Sequence, residues 1–246
     1  MKNIFIGIKT FQIPSHWNEL EKDDLLYIAH LFSHNHTKEE MVVLLTCFFS
    51  EMKIQDIVEV NPAIFIEMEN QFNFLFKEIK LTKQHLSEIR INLKRFEGPK
   101  QGLSNFNYEQ FIIFAETYYF RYIETKQEQY LNSFLACLYT RKNKIFDPEK
   151  IEQNAHTLRK LSVAEKTAIL LFYQGSRNFL VSQFPILFAK GNEKKSKKEE
   201  YNFLEVIELL NAGDVSKNNI IRKTNIYEIF TRLTNLKKES EKNGRK

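Results

Sequence analysis

The chain has 246 residues, 43% apolar and 27% charged, with 22 Phe and 10 Tyr against only 7 Gly and 5 Pro. This much apolar side chain fills one large domain or two small ones and excludes disorder along the whole length. Scarce Gly and Pro exclude a turn-rich β-sandwich and favour helices on short connections. The net charge of +5 is mild and concentrated from Arg222 to Lys246, where eight Lys or Arg stand against three Glu. Such a balance permits an acidic partner without requiring one.

The first element reads as a strand: Ile4, Ile6 and Ile8 alternate with Phe5, Gly7 and Lys9, and Pro14 ends it. Asn18-Glu19-Leu20-Glu21 then offers a capping box ahead of Leu25, Ile28, Ala29 and Phe32 at helical spacing. A second box, Thr37-Lys38-Glu39-Glu40, opens a helix bearing Met41, Leu44, Leu45 and Phe48. Asn61-Pro62 begins another through Phe65, Met68, Phe72 and Leu75. The period then changes to two: Ile89, Ile91 and Leu93 alternate with Arg90, Asn92 and Lys94, and Gly98-Pro99 and Gly102 close the strand with a loop. Pairing the two strands is the simplest arrangement. The expected fold class is therefore mainly α, a helical bundle-like body with a small two-stranded β element near residues 3–9 and 88–96.

Asn107-Tyr108-Glu109-Gln110 can cap a helix with Phe111, Phe114, Ala115, Tyr118, Tyr119 and Tyr122. Thr125-Lys126-Gln127-Glu128 starts the next, and its likeness to the box at Thr37 admits either a duplicated helical hairpin or chance recurrence. Asp147-Pro148-Glu149 begins a short helix and Ser162-Val163-Ala164-Glu165 a longer one, which Gly175 and Pro185 are expected to bend or divide. The segment 191–200 has no apolar residue and dense charge, and reads as a linker. Two helices remain, near 201–211 and 224–238, the last amphipathic through Ile226, Ile229, Phe230, Leu233 and Leu236. The expected domains are a helical body over 1–190, open to sub-division near 97–104, the charged linker, and a C-terminal helical segment with a basic tail over 201–246.

Candidate chemistry is sparse. His30, His34 and His36 are the best metal candidates, but they lie at a helix end where the dipole favours histidine, and no H-E-x-x-H or cysteine pair supports them. Solvated histidines are the expectation, with no metal site. Cys47 and Cys137 sit in apolar helical patterns that make a thiol inert. No G-x-S-x-G elbow, P-loop or dinucleotide fingerprint occurs. The expectation is a non-enzyme without cofactor. Two thiols in apolar helices fit a reducing compartment, Met1 to Gly7 does not read as a signal peptide, and the longest apolar run, Met41 to Phe49, is too short for a bilayer. A cytoplasmic protein is expected.

In the centre, Phe96-Glu97-Gly98-Pro99 through Gly102-Leu103-Ser104-Asn105, then Glu109-Gln110-Phe111, Ala115-Glu116 and Tyr118-Tyr119, resembles a segment of proteins from phage and prophage tail-gene regions. There a "GP…L-x-N" loop leads into a helix reading roughly F-x-x-A-(D/E)-x-Y-Y. Tyr130 to Arg141, Leu171 to Arg177 and Phe184 to Phe188 fit the same setting, so the resemblance covers residues 96–190. It implies a non-enzymatic structural or chaperone-like assembly role, in the host cytoplasm or the virion, through protein–protein binding to tail or assembly components. The expected contact residues are Phe111, Tyr118, Tyr119, Tyr122, Ile226, Phe230 and Leu233. The alternative is nucleic-acid binding through Arg222, Lys223, Arg232, Lys237 and Lys238. No membrane partner is expected.

Overall fold

The computed structural model describes residues 1–6, 9–55, 62–188 and 203–243. The fold is mainly α, with small antiparallel sheets. Contacts divide the chain into two compact units: Met1–Leu86 with Leu161–Asn178, and Ser87–Lys160 with Phe179–Lys246.

The first unit opens with a hairpin of β1 (Lys2–Ile6) and β2 (Lys9–Ile13). Helices α1 (Lys22–Phe32), α2 (Lys38–Ser50) and α3 (Pro62–Phe72) follow. The Thr37 box forms as read: Thr37 Oγ1 accepts from Glu40 N–H (3.2 Å), and Glu40 Oε2 from Thr37 N–H (2.8 Å). The Asn18 box does not form. Helix α1 starts at Lys22, with Glu21 N–H donating to Asp24 (2.8 Å), while Asn18 Oδ1 accepts from the N–H groups of Thr82 (2.9 Å) and Lys83 (3.0 Å). Its amide is spent on a distant loop. Stacked rings tie α1 to α2 (Tyr27–Phe48, 4.2 Å) and α2 to α3 (Phe49–Phe72, 5.7 Å).

In the second unit, β3 (Glu88–Ile91), β4 (Lys94–Glu97) and β5 (Thr140–Arg141) form a sheet in that order. The expected pairing of the two sequence-read strands is thus wrong: each folds back on its own neighbour. Leu93 is no strand residue. Asn92 takes φ 55°, the chain turns, and Leu93 is fully exposed. Closing a two-residue hairpin orders far fewer residues than joining strands some eighty apart.

Residues Glu109–Glu116 wind as a π-helix and run into α4 (Thr117–Thr125). Helix α5 (Glu128–Leu138) follows, but Thr125 does not cap it; its hydroxyl donates to Arg121 O (2.7 Å) and Lys126 ends α4 in the left-handed region. Without a box there, the echo of Thr37 loses its structural counterpart. Asp147 caps a short 3₁₀ turn leading into α6 (Ile151–Leu158). Ser162 and Glu165 close a reciprocal box at the start of α7 (Val163–Gln183).

Gly175 does not bend α7, which passes through it unbroken. A Cβ there would lie 2.8 Å from the Leu81 carbonyl carbon and nearer still to Leu81 O and N, so glycine permits the main-chain approach. Pro185 does divide the chain, starting α8 (Pro185–Phe188). Helices α9 (Phe203–Asn211), α10 (Asn218–Lys223) and α11 (Ile226–Asn243) complete the unit. The linker read at 191–200 lies outside the described residues. The C-terminal segment falls in the same unit as 87–160.

Candidate functional site

The loop before the π-helix is held by the C-terminal segment. Tyr108 N–H donates to Thr224 O (2.9 Å) and Ile226 N–H to Phe106 O (3.0 Å), bridging Asn107 and Asn225. Asn225 Nδ2 adds a bond to Ser104 O (2.8 Å) and the Tyr227 hydroxyl one to Gly102 O (2.6 Å). Gly102 takes φ +60° beneath that hydroxyl, a conformation a side chain would strain. Asn105 Oδ1 closes the loop on Lys100 N–H (2.7 Å). Gly102 and Ser104 of this loop therefore bond the C-terminal segment directly, while Asn105 holds the loop's own turn.

On the π-helix and α4, buried Phe111, Ala115 and Tyr119 fall four apart. Phe111 meets Phe230 edge-on at 6.4 Å, and Phe230 also meets Phe184 and Phe188, each at 5.4 Å. Ile226 is fully buried and Phe230 nearly so. The expectation that Phe111, Tyr119, Ile226 and Phe230 face a partner is corrected: all four are buried, Phe111 against Phe230 of the C-terminal helix and Tyr119 against Phe134 of α5 (ring centres 5.6 Å). Tyr118, Tyr122 and Leu233 are half-buried. Burial pushes the Tyr118 phenol up, and Lys126 Nζ lies 5.7 Å over the Tyr122 ring. Phe120 and Ile123, which the sequence reading passed over, are the exposed apolar residues of α4.

The basic set is largely engaged. Arg222 pairs with Glu109 at 3.6 Å, fixing α10 to the π-helix; Arg232 pairs with Glu228 along α11; Lys237 Nζ donates to Ile186 O (2.8 Å). Lys223 and Lys238 are exposed.

Cys137 is buried and Cys47 half-buried, and burial raises both thiols, Cys137 the more strongly, which disfavours the thiolate. An open groove of about 520 Å³ runs between α5 and α6, lined by Tyr118, Asn132, Ser133, Glu149, Glu152 and Arg159 among others. Glu152 in the first turn of α6 complements the helix dipole, so its carboxylate there has a local cause. His30, His34 and His36 are exposed at the end of α1, ring centres 4.3 Å and 6.0 Å apart in sequence order. Among the described residues no three His, Cys, Asp or Glu side chains are gathered on one point to hold a metal ion.

The chain matches no family model, no curated protein and no solved structure. Among the described residues, no helix is long and apolar enough to cross a membrane.

Some of the exposed apolar side chains lie on the short helices of the C-terminal segment. Helices α9 and α10 pack together, joined through the 3₁₀ turn Val215–Lys217, and Leu209, Val215 and Ile220 are 59%, 75% and 68% exposed. Periodicity in Phe203–Asn211 hinted at this, since apolar residues there occupy more than one face of the helix. The Glu109–Arg222 pair left no sequence signal, because its residues meet only through tertiary packing.

Proposed function

We propose that the protein acts by binding other proteins, as a non-enzymatic structural or chaperone-like assembly component of a phage-like tail or particle. The supporting observation is the exposure of Leu209, Val215 and Ile220 on the helices at α9 and α10. Apolar side chains exposed on short helices that pack side by side offer a contact face. The phage setting, with a place in host cytoplasm or virion, rests on the resemblance over residues 96–190. Nucleic-acid binding through the basic C-terminal helix is the weaker reading, because Arg222, Arg232 and Lys237 are engaged within the chain.

Co-expression with the products of the flanking genes tests the reading. A protein that co-purifies with the parent chain is expected to be lost from a Leu209→Asp/Ile220→Asp variant of unchanged helix content. Anchors of this kind carry about 2 kcal/mol or more, roughly thirtyfold in affinity. Failure of every flanking product to co-purify, or full retention by the variant, refutes the proposal.

A further inference from the structure

The end of α1 and the turn beyond it present the imidazoles of His30 and His34 together. Four residues apart, they share one side of the turn, which continues past Ser33 because His34 N–H donates to Leu31 O (3.1 Å). Their ring centres lie 4.3 Å apart with planes tilted by 52°. His34 Nδ1 lies 2.8 Å from the His30 carbonyl oxygen. A carbonyl only accepts, so Nδ1 carries the hydrogen, and in the neutral ring Nε2 keeps its lone pair. Ligating histidines are oriented in this way, with the second ring nitrogen donating to a carbonyl or carboxylate.

The spacing suits one ion. Two imidazoles binding a transition metal at about 2.0–2.1 Å, with a right or tetrahedral angle between bonds, hold their ring centres roughly 4.5–5 Å apart. The observed separation is within a small side-chain rotation of that, which the exposed His30 ring can make while His34 stays bonded through Nδ1. The His36 ring lies 6.0 Å from that of His34, with its Nδ1 3.6 Å from Glu40 Oε2. It is drawn toward the start of α2, away from the pair.

We infer that His30 and His34 form a two-histidine site for a first-row transition dication such as Zn²⁺, bound through Nε2 of each ring with water in the open positions. Paired neutral imidazoles select zinc, nickel or copper over calcium and magnesium, which require oxygen donors. The site stands apart from the apolar face on α9 and α10, and neither proposal depends on the other.

Isothermal titration of the untagged full-length chain with zinc chloride tests the assignment. One equivalent is expected to bind, about tenfold or more weakly in His30→Ala and in His34→Ala. The His36→Ala chain should bind as the parent does. All three side chains are exposed, so circular dichroism should show each variant folded. Absence of binding at roughly 100 µM zinc, undiminished binding by His30→Ala/His34→Ala, or a loss in His36→Ala equal to that in His34→Ala overturns the inference.

Discussion

Replacing Gly175 by alanine ought to stabilise a helix, and here it should do the opposite. A Cβ at this position lies 2.8 Å from the Leu81 carbonyl carbon, against an optimum of about 3.5–4.0 Å between carbons. The obstacle is main chain, so no rotamer change relieves it. The strip carrying Leu81 would have to move by about 1 Å to restore ordinary contact, and it is pinned on both sides. Asn178 Nδ2 donates to Ile79 O (3.1 Å), and Asn18 Oδ1 accepts from Thr82 and Lys83 N–H. Overpacking costs about 1–3 kcal/mol, and a strained hydrogen bond about 1 kcal/mol more. Alanine returns about 1 kcal/mol through helix propensity. The net expectation is a loss of about 2 kcal/mol, or roughly 4–8 °C in melting temperature for a chain of this size. Trp17, the sole tryptophan, is buried in the same unit with the Phe74 ring edge-on at 5.8 Å, so its fluorescence reports the transition. If Gly175→Ala unfolds at the same or higher urea concentration than the parent, the close approach at Leu81 is refuted, because propensity alone then sets the sign.

Phe230→Ala removes a ring that meets three others and should lower stability by about 3–5 kcal/mol. Calorimetry showing an unchanged transition would return Phe230 to the role of a surface residue. The Glu88 carboxyl is held below its ordinary value first by the hydrogen bond from Lys142 Nζ (2.8 Å) and next by that from Arg90 Nε (3.1 Å). The native state then takes up this proton less readily than the unfolded chain. Its contribution is full above pH about 4.3 and fades as pH falls through and below that value. Glu88→Gln should flatten the acid limb of a stability–pH curve at low salt; a limb of unaltered slope would show that the pair adds nothing.

Local signals were legible where the chemistry closes within a few residues. The boxes at Thr37 and Ser162, the Asp147-Pro148 start and the break at Pro185 each formed as read, because a cap needs only the next turn of chain. Asn18 and Thr125 carry the same kind of signal and cap nothing. The Asn18 amide is taken by Thr82 and Lys83, and the Thr125 hydroxyl turns back on Arg121. Alternation through Ile91 and Leu93 likewise spans a turn, since period two in sequence does not show where φ becomes positive at Asn92.

By itself, the sequence determined that this is a mainly helical protein, that strands lie near its start and near residue 90, and which residues are apolar enough to be buried. Those properties follow from hydrophobic period and backbone propensity, which act over a few residues. Tertiary structure decided which apolar faces meet. Phe111 and Phe230, read as surfaces for another molecule, found each other, while Leu209, Val215 and Ile220 are among the apolar side chains left exposed. A helix's apolar stripe shows that it must be covered; whether this chain or another molecule covers it depends on contacts between residues more than a hundred positions apart.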